Sequence, residues 1–232
     1  MFNYYYNYIN QNNLPSNMKA IIFDLDNTLV DFNRMKEKSN EKAIEAMIKS
    51  GLKLNKQQAT KALQDLYNET TIEDQFIFEK FLAKVDKLDY RKLARAIIAY
   101  RKTRHSYLKP YTGVKKTLKQ LKKKYKLALV SDAPTLNAWL RLCYMGLEDS
   151  FDIIIGFDDT KRKKPSTLPF KKAIKQLKVK PKDCLMVGDS DRDIKGANKL
   201  GIKTAWAKYG SRIKHIKVDY VLNDIRDLLE VL

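Results

Sequence analysis

Cysteine is nearly missing from this chain: Cys143 and Cys184 are the two in 232 residues. They form no C-x-x-C, and two thiols build no disulfide framework, so the expected compartment is reducing and intracellular. Long apolar runs are missing as well. Ile153–Ile155 and Leu127–Val130 fall far short of the ~20 residues that a membrane helix needs. No basic stretch followed by an apolar one opens the chain, so no secretory signal is expected and the cytoplasm is the default location. Eight Gly and six Pro exclude a collagenous or proline-rich chain. Acid is in short supply: 27 Asp and Glu face 46 Lys and Arg, a formal charge of +19.

What is present is a globular composition, 44% hydrophobic and 31% charged, enough to bury a sizeable core in one or two domains. It is not the apolar-poor profile of a disordered chain. The +19 has two readings. One is an acidic partner, such as nucleic acid, an anionic membrane surface or a phosphorylated substrate; the other is a Lys-rich solvated surface with no partner.

The first 18 residues stand apart as an extension dominated by Tyr and Asn (Tyr4, Tyr5, Tyr6, Tyr8; Asn3, Asn7, Asn10, Asn12, Asn13), with no charge before Lys19. The segment lacks periodicity and is expected to be poorly ordered. Either Met18 is the native start, or the extension is an aromatic arm. Lys19–Leu25 then reads as a buried strand. Residues 33–106 are helical in pattern throughout, for example Ala43, Ile44, Met47 and Ile48 on one face. After Pro110, apolar strand-like runs at 127–131, 152–156, 184–188, 202–205 and 220–222 alternate with helical ones. That alternation predicts an α/β fold with a parallel sheet covered on both faces. Because the first strand belongs to the same sheet, the core spans 19–32 and 107–232, with 33–106 inserted as an all-helical domain.

Parallel sheets bind ligands at the carboxyl ends of their strands. Three predicted strands end in acid: Asp24 and Asp26 after the first, Asp132 after the second, and Asp189, Asp191 and Asp193 after the fourth. One such acid is unremarkable as a turn or cap. Three clusters at matching ends repel one another, and an oxygen-binding cation such as Mg²⁺ would relieve them. Lys164, just before a predicted helix, supplies the opposite sign for a bound phosphate. Asp191 has two readings, a helix N-cap or a metal contact.

D-x-D-x-T (Asp24, Asp26, Thr28), strand-S-D (Ser131, Asp132), K-P (Lys164) and G-D-S-x-x-D (Asp189, Asp193) occur in this order. Together they resemble the four motifs of the haloacid dehalogenase-like (HAD) hydrolase superfamily, over about Lys19 to Asp219. The helical insert resembles the cap of its phosphoglycolate phosphatase-like branch. The resemblance implies a Rossmann-like core and a Mg²⁺-dependent phosphatase. Asp24 would be the nucleophile and Asp26 the general acid and base. Asp24, Asp189 and the Asp26 carbonyl would hold the metal, with Asp193 orienting behind them. Ser131, Thr28, Lys164 and the backbone around Asp132 and Ala133 would bind phosphate. An acid at Asp26 favours phosphate-ester hydrolysis or phosphomutase chemistry over dehalogenation. Asp132 departs from the Asn-Gly of many relatives, and either caps the next helix or pairs with Lys164 or another base.

The implied partner is a small phosphorylated metabolite such as glyceraldehyde 3-phosphate or phosphoglycolate, without a membrane, in a monomer or homodimer. A phosphomutase is the alternative, and a nucleic-acid-binding protein ranks lower. Arg34, Lys36 and Arg104 are candidates for a second anionic group of the substrate. His105 and His215 read as solvated surface, Trp139 and Trp206 as core, and Tyr209-Gly210 as a weak substrate contact.

Overall fold

The computed structural model describes residues 17–232, so the aromatic extension lies almost wholly outside the described residues. The chain divides into two compact units. One runs up to Asp31 and resumes over Lys109–Leu232; the other is Phe32–Leu108.

The first unit is a six-stranded sheet. Its strands are β1 (Ala20–Phe23), β2 (Lys126–Val130), β3 (Ile153–Ile155), β4 (Cys184–Gly188), β5 (Lys203–Ala207) and β6 (Tyr220–Leu222). The order is β3-β2-β1-β4-β5-β6, with every neighbouring pair parallel. This is the α/β parallel-sheet class that the alternating pattern predicts. β1 and β4 are buried at every position, as the continuous apolar runs Ala-Ile-Ile-Phe and Cys-Leu-Met-Val-Gly require of central strands. One face of the sheet packs Ala20, Ile22, Val130 and Met186 against Phe170, Ile174, Leu177 and Ala197.

The second unit holds α1 (Phe32–Lys49), α2 (Lys56–Glu69), α3 (Ile77–Val85) and α4 (Tyr90–Tyr107). Ala43, Met47, Leu63, Phe81 and Ala96 are its core. The Asn55 side chain accepts from the Gln58 backbone while Gln58 reaches back to Asn55, a reciprocal cap that starts α2. Lys56 bridges to Glu41 and Glu45 of α1.

The remaining helices return to the sheet: α5 (Val114–Leu121), α6 (Thr135–Met145), α7 (Leu168–Leu177), α8 (Asp191–Asn198) and α9 (Leu228–Val231). Just ahead of α5, Tyr111 donates its backbone N–H to the Leu29 carbonyl. Trp139 departs from expectation. It is 41% exposed, since α6 buries Ala138, Arg141, Leu142 and Met145, and this spacing turns Trp139 outward. Trp206 is buried, and His105 and His215 are exposed. Among the described residues, no helix is long and apolar enough to cross a membrane.

Candidate active site

The carboxyl ends of β1, β2 and β4, with the loop before α7, meet at one edge of the sheet. β1 continues one residue past its last ladder position: the Asp24 N–H donates to Val187 O at 2.9 Å, which fixes Asp24 beside the end of β4. The next residues turn sharply. Asn27 adopts the left-handed conformation, φ 62°, and donates to Val30 O. The regular strand ends at Phe23, so the strict alternation of a strand need not govern Asp24 and Asp26.

Lys164 is the centre of the arrangement. It is 4% exposed, and its Nζ lies 2.5 Å from Asp24 Oδ1, 2.6 Å from Asp193 Oδ1 and 3.0 Å from Val130 O. Burial works to lower the Lys164 pKa, but the carboxylates of Asp193 and Asp24 outweigh it and keep the ammonium charged. Burial pushes the Asp24 carboxyl well above the ordinary range; Lys164 opposes this, and the charges of Asp193 and Asp189 reinforce it. Asp189 is raised to about 6 by burial and then by Asp193. Asp24, Asp189 and Asp193 each offer an oxygen within 4.8 Å of the others. An all-oxygen set of mutually destabilised carboxylates fits a hard divalent cation, which would restore their ionised forms.

Asp193 has two attachments. Its Oδ1 faces Lys164, while Oδ2 accepts from Ser190 N and Oγ at 3.1 and 2.6 Å. Ser190, not Asp191, is therefore the cap residue of α8. Asp191 is the first residue of that helix and pairs with Lys195, outside the acid cluster. Gly188 makes the tuck possible: a Cβ there would stand 2.5 Å from the Asp193 side chain.

The second strand end supplies Ser131, which is 4% exposed and accepts from the Ala133 N–H at 3.2 Å. Asp132 does not cap the helix ahead. Its Oδ1 accepts from the Lys164 backbone N–H at 2.8 Å, and its Oδ2 from Arg192 at 3.0 Å. It thus ties the lysine loop to α8. Thr28 is fully buried in the turn after Asp26, with no hydrogen-bond partner for its hydroxyl among the described residues.

Two features escaped the sequence. Arg141 on α6 is 1% exposed, and its guanidinium lies 3.4 Å from the Asp26 carboxylate. The helix period marks position 141 as inward, which could have flagged a buried cation. Tyr209 is a structural contact rather than an open side chain, since its hydroxyl donates to the Thr28 carbonyl at 2.7 Å. In the helical unit, Lys36 lies 4.7 Å over the Tyr67 ring and donates to the Tyr100 hydroxyl at 3.0 Å, and Arg34 stands over Tyr107.

A parallel sheet whose strand ends gather a buried lysine and three acids has the charges to receive an anionic ligand together with a cation. Residues 21–207 match the family model described as haloacid dehalogenase-like hydrolase, and the chain belongs to that family. It is 36% identical over 224 residues to a glyceraldehyde 3-phosphate phosphatase of Pyrococcus furiosus, covering 93% of each chain. It is 32% identical over 225 residues to a protein of the same name from Methanopyrus kandleri, covering 92% of this chain and 97% of the other. Among solved structures, a HAD phosphatase from Thermococcus onnurineus superposes with a TM-score of 0.70 at 27% identity, over 92% of this chain and 97% of that one.

Proposed function

We propose that the protein is a Mg²⁺-dependent phosphatase that hydrolyses a small phosphomonoester through an aspartyl-phosphate on Asp24. The observation that carries this is the contact of the buried Lys164 with Asp24, beside Asp189 and Asp193, in a chain of the haloacid dehalogenase-like hydrolase family.

The chemistry follows from the residues. An Asp24 oxygen attacks phosphorus, the bond from phosphorus to the ester oxygen breaks, and Asp26 donates its proton to the leaving oxygen. Water then attacks the same phosphorus, giving a proton to Asp26 and returning the Asp24 carboxylate with release of inorganic phosphate. Lys164 offsets charge on Asp24 and on the transferred group, the positioning and charge stabilisation on which phosphoryl transfer depends. Ser131 and the amides beside it are suited to hold phosphate oxygens; the Ala133 N–H now spans 3.2 Å to Ser131 and is a donor available for exchange. Asp24, Asp189 and the Asp26 carbonyl are the candidate ligands of the cation, with Asp193 orienting behind them; the cation would supply further positive charge to the phosphoryl group.

The inserted helical unit is the candidate for selecting the leaving group. The names of the relatives make glyceraldehyde 3-phosphate the first substrate to test, with phosphoglycolate second. The deciding experiment is a panel of phosphorylated metabolites ranked by kcat/KM with Mg²⁺ present. Phosphate release that survives EDTA, or that survives Asp24→Asn, overturns the proposal. A requirement for a bisphosphate activator would make the enzyme a phosphomutase. Retention on an RNA or DNA matrix at physiological salt would favour the basic surface as a functional face.

A further inference from the structure

We infer that the end of β5 and the segment just beyond it, residues 206–211, position the two acid-bearing loops against each other and so set the affinity for the divalent cation. The inference rests on Asp24 and Asp189 being ligands of that cation.

β4 lies between β5 and β1 in the sheet. A segment that leaves β5 and touches the loop after β1 must therefore cross in front of the end of β4, where Asp189 sits. The segment contributes no acid of its own, yet it holds both loops. On the near side, the Asp189 carbonyl accepts from Ser211 Oγ at 2.5 Å and from Trp206 Nε1 at 3.3 Å. Two donors on one carbonyl fix the peptide plane, and with it the direction in which the Asp189 side chain leaves the backbone. On the far side, Tyr209 donates to the Thr28 carbonyl at 2.7 Å. Between them, Gly210 is pressed against the Asn27 carbonyl so closely that a Cβ would lie 1.6 Å from that oxygen. No side chain fits there, and glycine is what permits the approach.

Tyr209 is in turn held by Tyr111, edge to face at 5.2 Å. Burial raises the Tyr209 hydroxyl well above the usual phenol range and keeps it a donor. Trp206 is 4% exposed, so its end of the bridge is anchored in the core. The bridged loops carry Asp24 and Asp26 on one side and Asp189 on the other. Ligand distances at a metal must fall within about 0.2 Å of their ideal values, so small relaxations of either loop reduce affinity.

The test is calorimetric titration of Mg²⁺ into the full-length protein and its Ser211→Ala and Tyr209→Phe variants, with thermal melts alongside. Loss of one supporting hydrogen bond is expected to raise the Mg²⁺ Kd on the order of tenfold, the scale seen when groups behind metal ligands are removed. Activity should recover largely as Mg²⁺ is raised, which separates a positioning role from loss of fold. Gly210→Ala should weaken binding further. Ser106→Ala, in the helical unit, should leave the Kd unchanged. Variants that bind Mg²⁺ within twofold of the parent, whatever their melting temperatures, overturn the inference. Failure of the parent itself to bind Mg²⁺ defeats the metal reading first, and the positioning role with it.

Discussion

The buried Arg141 pairs with a half-buried Asp26: the guanidinium lies 3.4 Å from the carboxylate, and the arginine side chain is 2% exposed against 23% for the acid. A buried charge costs several kcal/mol to desolvate unless it is compensated. The pairing directs Asp26 by a residue on α6, an element that carries none of the four motifs. If Asp26 protonates the leaving oxygen, Arg141 matters most for esters whose alkoxide is a poor leaving group. In Arg141→Leu, kcat on an alkyl phosphate is expected to fall on the order of tenfold more than kcat on p-nitrophenyl phosphate, whose leaving group needs no proton. Arg141→Lys should restore part of the difference. Equal losses on both substrates would show that Arg141 only supports the fold.

Removing the metal should abolish turnover and leave the protein folded. The sheet core contains no acid-cluster residue among its apolar contacts, since Ile22, Val130, Phe170 and Met186 pack without them. After EDTA treatment, circular dichroism should be unchanged, phosphate release should stop, and Mg²⁺ should restore it. Ca²⁺, larger and more flexible in coordination, is expected to bind without restoring activity.

Asp132 binds the lysine loop to α8 through one backbone and one guanidinium contact. Asp132→Asn keeps an acceptor for the Lys164 N–H and loses the charge that faces Arg192. Asp132→Ala loses both. We expect Asp132→Ala to cost about 1–2 kcal/mol of stability and to lower kcat more than Asp132→Asn does, because Lys164 is then less well placed. Urea unfolding and steady-state kinetics on the two variants check the order; identical kcat values would refute it.

Acid should loosen the helical unit in a defined window. Hydrogen bonds from Lys56 and Lys38 hold the Glu41 carboxyl down, from 4.5 to about 2. A carboxyl depressed in the folded state contributes stability that is full above its unfolded pKa and is lost as pH falls through the folded value. The contribution is therefore present above about pH 4.5 and fades towards pH 2. The pair is exposed, so the effect is modest and salt-sensitive. In Glu41→Gln, the melting temperature should fall less steeply across that window than in the parent, and high salt should erase the difference.

The sheet and the acid-bearing strand ends were legible because burial on both faces demands continuous apolar runs. Ile21, Ile22 and Leu185, Met186, Val187 announce their strands without help from tertiary context. Residues 184–188 and 220–222 form strands at the very limits their patterns suggest. The misplaced parts depended on contacts far away in sequence. Trp139 has the composition of a core residue, but its phase on α6 turns it outward. The partners of Asp132 lie 32 and 60 residues further on, beyond any local pattern. Ser211 and Tyr209 act through hydrogen bonds to main-chain carbonyls of distant loops, and such bonds leave no signature in residue spacing.

The interruption of the sheet unit by Phe32–Leu108 has a consequence for synthesis on the ribosome. β1 is made first, yet its two neighbours begin at Lys126 and Cys184. The strand that carries Asp24 must wait, with both edges unpaired, while the entire helical unit emerges and can fold on its own contacts. An apolar strand left without partners is prone to pair with other chains. The nascent protein is therefore most vulnerable between completion of the helical unit and arrival of β4, and a stall in that interval would expose its most buried sequence. Truncations ending before Cys184 should aggregate, whereas Phe32–Leu108 expressed alone should remain dispersed.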